Sequence, residues 1–299
     1  MRILVTGGTG FIGSNLVMRL MQDGHDVTIT GHDAEQKIPG FCGKMLQPGL
    51  LGIDWESIGK VDVLYHLAAI NDTTLMDSRE MLRANLAASQ ELFQRVVQSG
   101  CRTIVYASST AVYGDASAPY REEGPLRPLN PYAESKKLLE DWTAQFANAN
   151  PEVRLVGLRY CNVYGPRENH KGPRASMIFQ LAQQMKRGNP RLFRHGEQKR
   201  DYIYVADVVR ANLLAAEARV SCVVNCGFGK AVSFNELVLE LNRVMGLERK
   251  PEYIENPYAD RYQSFTECDM RLAKEKLGFA PETGLREGLE KYHRSGFLV

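Results

Sequence analysis

Short apolar runs alternate along the first half of the chain with longer segments whose apolar positions repeat every three or four residues. The short runs predict buried strands, and the longer repeat predicts amphipathic helices. Strands are predicted at residues 2–6, 26–30, 61–66 and 103–107. Because helical segments separate most of these strands, the pattern predicts an α/β fold with a doubly wound parallel sheet.

The second half of the chain is predicted to be mostly helical. Helical periodicity covers residues 208–218, 233–245, 270–277 and 285–292, and a strand-like run covers 222–227. We expect the helix at 208–218 and this strand to rejoin the first domain, and the later segments to form, with the residues before 202, a smaller C-terminal α/β domain.

A glycine-rich turn, GGTGFIG, connects the first strand to the first helix. Glycines let the backbone approach a pyrophosphate closely, and the N–H groups at the helix N-terminus attract its negative charge. Glycines also make ordinary turns, but this strand-turn-helix context is typical of a dinucleotide-binding Rossmann fold. The predicted cofactor contacts in the turn are Gly7, Gly10, Phe11, Ile12 and Gly13.

The residues after the second strand bear on the choice between NAD and NADP. An acidic residue at this position binds the adenosine ribose of NAD, but here the strand is followed by Gly31 and His32. Asp33 is one substitute for that acid. Alternatively, His32 and Lys37 leave room for a 2′-phosphate, or they are solvated loop residues. The pattern favours NADP and leaves NAD open.

Residues Leu67, Ala68 and Ala69 follow the third strand, and the small side chains would let the backbone pass close to a bound cofactor. The next helix, predicted at 78–99, carries Asn85 near its middle. A polar residue at such a position either supports a local bend or faces solvent.

Hydroxyl side chains follow the fourth strand in the sequence SSTAVYG, which includes Ser109. This edge of an open parallel sheet is where ligands bind, although hydroxyl clusters also form helix caps and ST turns. Downstream, Tyr132 and Lys136 lie four residues apart and share a face of a predicted helix. A nearby ammonium lowers the pKa of a tyrosine, which makes the phenol usable as an acid and a base.

Composition and charge exclude several function classes. The 299-residue chain is 44% hydrophobic and has a net charge of +2. It has no long basic run and no apolar run of 18 residues, so we expect no nucleic-acid partner and no membrane partner. The six cysteines lack paired spacing, which favours reduced thiols and no metal site. The first residues enter a strand pattern without a signal core, so a cytoplasmic protein is expected.

Positive charge is concentrated in one segment of the chain. Between Arg154 and Arg210, twelve Lys and Arg residues stand against four acids, a net of +8 in a chain of net +2. Arg and Lys form charge-assisted hydrogen bonds to phosphates, so this segment suits a diphosphate ligand.

These motifs resemble those of the extended short-chain dehydrogenase/reductase superfamily of nucleotide-sugar enzymes, over nearly the whole chain. They are GGTGFIG, HLAA at 66–69, ASSTAVYG at 107–114, YAESK at 132–136, RYCNVYGP at 159–166 and RDYIYVAD at 200–207. The resemblance implies that Ser109 hydrogen-bonds the reacting oxygen and that Tyr132 is the acid/base. It implies that Lys136 binds the nicotinamide ribose and lowers the pKa of Tyr132, and that Asn85 is a structural or active-site asparagine. A homo-oligomer is expected on the same ground.

The segment RYCNVYGPRENHKGPRAS is similar to one in the ADP-L-glycero-D-manno-heptose 6-epimerase family, in which a lysine works opposite the tyrosine. The resemblance makes Lys171 a catalytic candidate, and the alternative is a flexible surface lysine in a Gly/Pro loop. The segment DRYQSFTECD also resembles that family, in which its arginine helps to hold the nucleotide diphosphate. The substrate-binding residues expected on this basis are Ser109, Asn162, Arg167, Lys171, Ser176, Arg200 and Arg261.

The resemblance also implies a division of labour along the chain. Residues 1–163, rejoined by about 202–230, are expected to bind the dinucleotide, and residues 164–201 and 231–299 are expected to bind the nucleotide sugar. The implied reaction is a redox-neutral epimerisation with tightly bound NAD(P), with C6 of an ADP-heptose as the favoured centre.

Three alternatives stay open. A UDP- or dTDP-hexose 4-epimerase needs only the tyrosine. A 4,6-dehydratase carries an acidic pair after the strand-end hydroxyl, where this chain has Thr110 and Ala111. A catalytically silent cofactor-binding relative would have no use for Ser109, Tyr132 and Lys136 together.

Overall fold

The computed structural model describes residues 1–32, 37–46, 52, 58–71, 77–256 and 264–298. In chain order the strands of this part are β1 (Arg2–Thr6), β2 (Asp26–Thr30), β3 (Lys44–Leu46), β4 (Val63–His66), β5 (Thr103–Ser109), β6 (Arg154–Tyr160), β7 (Asn162–Tyr164), β8 (Arg191–Phe193), β9 (Lys199–Tyr204), β10 (Cys222–Cys226), β11 (Ala231–Ser233) and β12 (Glu252–Ile254). Seven of them form one parallel sheet in the order β10-β6-β5-β4-β1-β2-β3.

Helices cover both faces of this sheet. In chain order the helices of the described residues are α1 (Phe11–Gln22), α2 (Ser78–Leu82), α3 (Ala88–Gln98), α4 (Pro131–Ala149), α5 (Met177–Arg187), α6 (Val205–Ala216), α7 (Phe234–Met245), α8 (Arg271–Leu277) and α9 (Leu285–Arg294). Successive side chains of a strand point to opposite faces. Ile3 and Val5 therefore pack with α1 and α6, whereas Leu4 packs in a second core under α3 and α4. The prediction of a doubly wound α/β fold is confirmed.

A smaller group of elements, which comes from chain segments before and after β10, lies outside the main sheet. The strands β11, β9 and β7 form a three-stranded sheet, and β12 pairs with β8. Apolar faces of α5, α7 and α9 share a separate core that includes Leu181, Leu237 and Leu289. Within the described residues, no helix combines the length and the apolar character needed to cross a bilayer.

The helix predicted at 78–99 is interrupted in the structure. Residues Arg83–Ala87 form a π-helical turn between α2 and α3, and Asn85 lies inside it with 1% of its surface exposed. Its side chain accepts a hydrogen bond from the Ile70 N–H at 2.8 Å and donates to the Ile70 carbonyl at 2.9 Å. It also donates to the Ser135 hydroxyl at 3.1 Å. The solvent-facing alternative for Asn85 is wrong, because the π turn directs this side chain inward.

The structure also has strands that the sequence did not predict: β6, which lies between β10 and β5 in the main sheet, and β3, β7, β8, β9, β11 and β12. The edge strand β3 was not predicted, since three residues are too few to show a pattern. Strand β5 extends to Ser109, two residues further than expected, because its backbone remains paired with β6 up to that residue.

We predict that Asn85→Ala lowers the free energy of unfolding by about 2 kcal/mol, because two hydrogen bonds to the Ile70 backbone are lost. Urea unfolding followed by circular dichroism measures the change. Asn148→Ala is the matched control, since Asn148 is an exposed asparagine of α4. It should change the stability by less than about 0.5 kcal/mol. Equal losses in the two variants would contradict a supporting role for Asn85.

Candidate active site

A cavity of about 890 Å³ opens at the carboxyl ends of β1, β4, β5 and β6. Ligands bind at this edge of open parallel sheets, because the loops there leave a crevice. The described residues that line it come from the glycine turn, the end of β2, the loop after β4, the π turn, the end of β5, the start of α4, the segment from 160 to 177, and β9.

The glycine turn forms one wall of the cavity. Helix α1 begins at Phe11, and Gly10 at its N-cap supplies no side-chain hydrogen bond, so backbone N–H groups are available to a ligand. Gly13 has no room for a side chain, since a Cβ atom there would lie 2.1 Å from the Gly7 carbonyl oxygen. Gly7 has a φ of +68° and packs against the backbone of Ala68. The wall therefore fits the pyrophosphate of a dinucleotide.

Ser109, Tyr132 and Lys136 meet in the cavity as predicted from the sequence. Asn130 caps α4 by accepting a hydrogen bond from the Ala133 N–H, which places Tyr132 in the first turn of the helix. The Tyr132 and Ser109 side chains are hydrogen-bonded to each other. The Lys136 Nζ lies 5.9 Å from the centre of the Tyr132 ring.

Burial controls the protonation of this group. It raises the pKa of Tyr132, and the hydrogen bond from Ser109 acts in the opposite direction. Burial also lowers the pKa of Lys136 to about 8, against the favourable charge of Glu140. The net shift of the Tyr132 pKa is upward, because desolvation of the phenolate outweighs the contribution of Ser109.

Lys171 lies on the wall of the same cavity, in a 3₁₀ turn formed by Asn169–Arg174. Its Nζ is 5.5 Å from the centre of the Phe11 ring. Burial lowers the pKa of Lys171, Glu168 opposes this, and Arg174 adds to it. Because its side chain is partly buried and its pKa is lowered, Lys171 differs from a solvated surface lysine.

The turn that carries Lys171 is anchored by a buried carboxylate. Glu168 accepts hydrogen bonds from the Gly165 N–H at 3.1 Å, from the Ser176 N–H at 2.6 Å and from the Ser176 hydroxyl at 2.9 Å. Ser176 also caps α5 by accepting from the Phe179 N–H. These bonds hold the segment against the cavity.

The other predicted site residues divide into two groups. Those that line the cavity are Gly7, Gly10, Phe11, Ile12, Gly13, His32, Leu67, Ala68, Ala69, Asn162 and Ser176. Among the described residues, four predicted site residues do not line the cavity: Lys37, Asn85, Arg167 and Arg200. Arg167 donates to the Lys37 carbonyl, and Arg200 lies 5.8 Å from the centre of the Phe234 ring. Arg261 and Asp33 fall outside the described residues.

Several lining residues were not singled out from the sequence. They include Thr9, Thr30, Tyr160, Cys161, His170, Arg174, Met177 and Tyr202. Thr9 accepts a hydrogen bond from the His32 N–H at 3.0 Å and so links the glycine turn to the end of β2. Thr9 lies inside the GGTGFIG motif, which is the signal that could have identified it. Tyr202 lies within RDYIYVAD, but nothing in that motif indicates which side chains face the cavity.

Cys161, Asp201 and Cys268 form a buried group with their ligand atoms within 4.8 Å of one another. The Asp201 carboxylate accepts hydrogen bonds from the N–H groups of Phe228, Gly229 and Cys268. These bonds give Asp201 a structural role in joining the chain segments around it.

Comparison with known proteins identifies the family. The family model described as "NAD dependent epimerase/dehydratase family" matches residues 3–227. The chain belongs to this family. An ADP-L-glycero-D-manno-heptose-6-epimerase of Alkalilimnicola ehrlichii is 38% identical over 312 aligned positions, which cover 96% of this chain and 96% of the relative.

Two solved structures show how closely the architecture of this family member is shared. The Helicobacter pylori ADP-L-glycero-D-manno-heptose-6-epimerase superimposes with a TM-score of 0.89 at 32% identity, covering 98% of this chain and 95% of that one. The UDP-glucose 4-epimerase of Thermotoga maritima, solved with UDP-glucose, has a TM-score of 0.88 at 31% identity, covering 99% of both chains. The resemblance predicted from the motifs is confirmed.

Proposed function

We propose that the protein is an NAD(P)-dependent nucleotide-sugar epimerase that inverts C6 of an ADP-heptose through a transient ketone. The observation that carries this proposal is that Lys171 lines the same cavity as Ser109 and Tyr132. The full-length similarity to ADP-heptose 6-epimerases supports the choice of sugar.

The proposed reaction begins at a carbinol of the sugar. A bound nicotinamide dinucleotide would accept the hydride and return it, so that no net oxidation occurs. Ser109 hydrogen-bonds the reacting oxygen, and Tyr132 removes and later returns its proton. Burial raises the pKa of Tyr132. Nearby positive charge lowers the pKa of a tyrosine, so proton transfer by Tyr132 requires more positive charge near the phenol than Lys136 alone supplies. The dinucleotide fits the glycine turn, where Gly10, Phe11 and Ile12 present the N-terminus of α1.

Lys171 gives the site a second proton-transfer group. After oxidation, the ketone must present its other face to the hydride. A group on a separate part of the wall can then serve the carbonyl oxygen in its new orientation. The lowered pKa of Lys171 supports this role, because a neutral amine can accept a proton.

We further propose how the chain is divided. Residues 1–163 with about 202–230 bind the dinucleotide, and 164–201 with 231–299 bind the nucleotide sugar. The basic character of the second part suits a diphosphate. We also propose a cytoplasmic homo-oligomer. The six free cysteines of the chain support a cytoplasmic location, because cytosolic proteins keep their thiols reduced.

The substrate proposal is tested by NMR. Purified protein is incubated with ADP-D-glycero-D-manno-heptose and, separately, with UDP- and dTDP-hexoses, and the anomeric and C6 proton signals are followed. We expect conversion of the heptose at C6. Conversion of a hexose at C4 without any conversion of the heptose would favour the 4-epimerase alternative. The similarity of this chain to the Thermotoga maritima UDP-glucose 4-epimerase is consistent with that alternative.

The second proton-transfer group is tested by Lys171→Met. We expect turnover to fall at least about a hundredfold, the usual range for loss of a general acid or base, with little change in melting temperature. Lys186→Met is the control, because Lys186 is an exposed lysine in the last turn of α5. Near-normal turnover in Lys171→Met would remove this lysine from the mechanism.

For the cofactor we propose NADP rather than NAD, tightly bound. Gly31 and His32 follow β2 directly, and neither carries a carboxylate. The positive charge of Lys37 lowers the pKa of His170, which lies in the cavity wall. Mass spectrometry of the supernatant after denaturation identifies the released nucleotide. We expect NADP, and recovery of NAD alone would overturn the preference.

A further inference from the structure

Glu140 is a buried carboxylate one helical turn after Lys136, and the proposed mechanism gives it no role. Its side chain is 5% exposed and forms an ion pair with Arg159, with separations of 3.0 Å from Nε and 2.8 Å from the terminal nitrogen. Its Oε1 also accepts a hydrogen bond from the Ser108 hydroxyl. A charged group is rarely buried in this way unless it is paired.

The contacts of Glu140 join two elements of the active site. Helix α4 carries Tyr132 and Lys136, and the end of β5 carries Ser109. Lys136 donates from Nζ to the Ala107 carbonyl at 2.8 Å, and the neighbouring Ser108 donates to Glu140. Two successive residues of β5 are therefore tied to one face of α4, immediately before Ser109.

The groups that face Lys136 come from two elements. On α4 they are Tyr132, at 5.9 Å, and Glu140, whose charge raises the pKa of Lys136. From β4 comes His66, whose nitrogens are hydrogen-bonded to Thr6 and Ser89. Burial lowers the pKa of His66 to about 3, with Lys136 acting in the same direction, so the imidazole is neutral. Glu140 thus supplies the negative charge beside a desolvated ammonium.

We propose that Glu140 is a positioning residue of this active site: it fixes Ser109 against Tyr132 through Ser108, and it stabilises the ammonium form of Lys136. The inference rests on the proposed function, which gives Ser109, Tyr132 and Lys136 their roles. Among the described residues, Glu140 is not part of the cavity wall.

The charge effect is tested with Glu140→Gln, which keeps an oxygen for Ser108 but removes the negative charge. The titration of Lys136 is followed by NMR of lysine labelled with ¹³C at Cε, with its signal identified by loss in Lys136→Met. We expect a midpoint near 8 in the unmodified protein. We expect it about one pH unit lower in Glu140→Gln, since a nearby opposite charge typically shifts a pKa by 1 to 3 units. An unchanged midpoint would overturn the charge role.

The matched control is Asp141→Asn, which removes a negative charge from the next position of the same helix. Asp141 is exposed and pairs with Lys137 on the outer face of α4. The Asp141→Asn variant should leave the midpoint of the Lys136 titration unchanged. An equal shift in both variants would mean that the helix responds to net charge, which would also overturn the proposal.

The tethering effect is tested with Ser108→Ala, which removes the hydrogen bond and keeps the charge. We expect kcat to fall on the order of tenfold with little change in KM, because small misplacement of a catalytic group is costly. The Lys136 midpoint should stay near 8. An unchanged kcat would remove the tether from the proposal.

Activity also separates the two effects by pH. The ammonium form of Lys136 is present below its pKa and is lost as the pH rises through it. The alkaline limb of the kcat profile should therefore move to lower pH in Glu140→Gln and should not move in Ser108→Ala. A profile that is the same in all variants would contradict the proposal.

Glu140→Gln leaves Arg159 buried without its partner and can fail to fold. The double variant Glu140→Gln/Arg159→Met removes both charges, and its Lys136 midpoint should still fall below that of the unmodified protein, because Glu140 is the charge that acts on Lys136. An unchanged midpoint in a folded double variant would overturn the charge role. Because the NMR titration needs no substrate, it tests Glu140 even if the sugar is not an ADP-heptose. Failure of heptose conversion by the unmodified protein would refute the proposed function and leave this measurement valid.

Discussion

Close packing of backbone against backbone at the glycine turn is the constraint on which the site depends. The Gly7 carbonyl occupies the space that a side chain at Gly13 would need, so α1 can begin directly beyond β1. Ala68, after β4, packs against the other side of Gly7. This packing brings the N-terminus of α1 and the loop after β4 to the same edge of the sheet. The cavity exists because these backbones meet without side chains between them.

Burial has opposite consequences for the two kinds of group in this cavity. It raises the pKa of Tyr132 and lowers those of Lys136 and Lys171, so all three are driven towards their neutral forms. Neighbouring carboxylates oppose this for the lysines, Glu140 for Lys136 and Glu168 for Lys171. Each lysine of the site therefore has one buried acid that sets how readily it holds its proton.

Much of this arrangement could be predicted because it depends on local pattern. The meeting of Ser109, Tyr132 and Lys136 follows from helix periodicity and from the shared edge of parallel strands. The inward direction of Asn85 could not be predicted, since a π turn changes the helical phase without any sequence signal. The count of positive charges indicated a phosphate ligand, but tertiary packing decided that Arg200 lies outside the cavity wall. Glu140 was missed because an acid four residues after a lysine normally indicates a solvated helix face.

The turn that carries Lys171 is held by its own neighbours in sequence and by hydrogen bonds of its flanking residues to Asn15 and Lys37. Glu168 bonds to Gly165 and Ser176, and none of these residues belongs to the seven-stranded sheet. Tyr132, in contrast, is positioned by a helix packed on that sheet. Substitutions between positions 165 and 176 can therefore remodel one wall of the cavity while the cofactor wall and the tyrosine stay in place. Exchange of this one short segment can therefore change the sugar specificity, while the glycine turn that holds the cofactor and Tyr132 are retained.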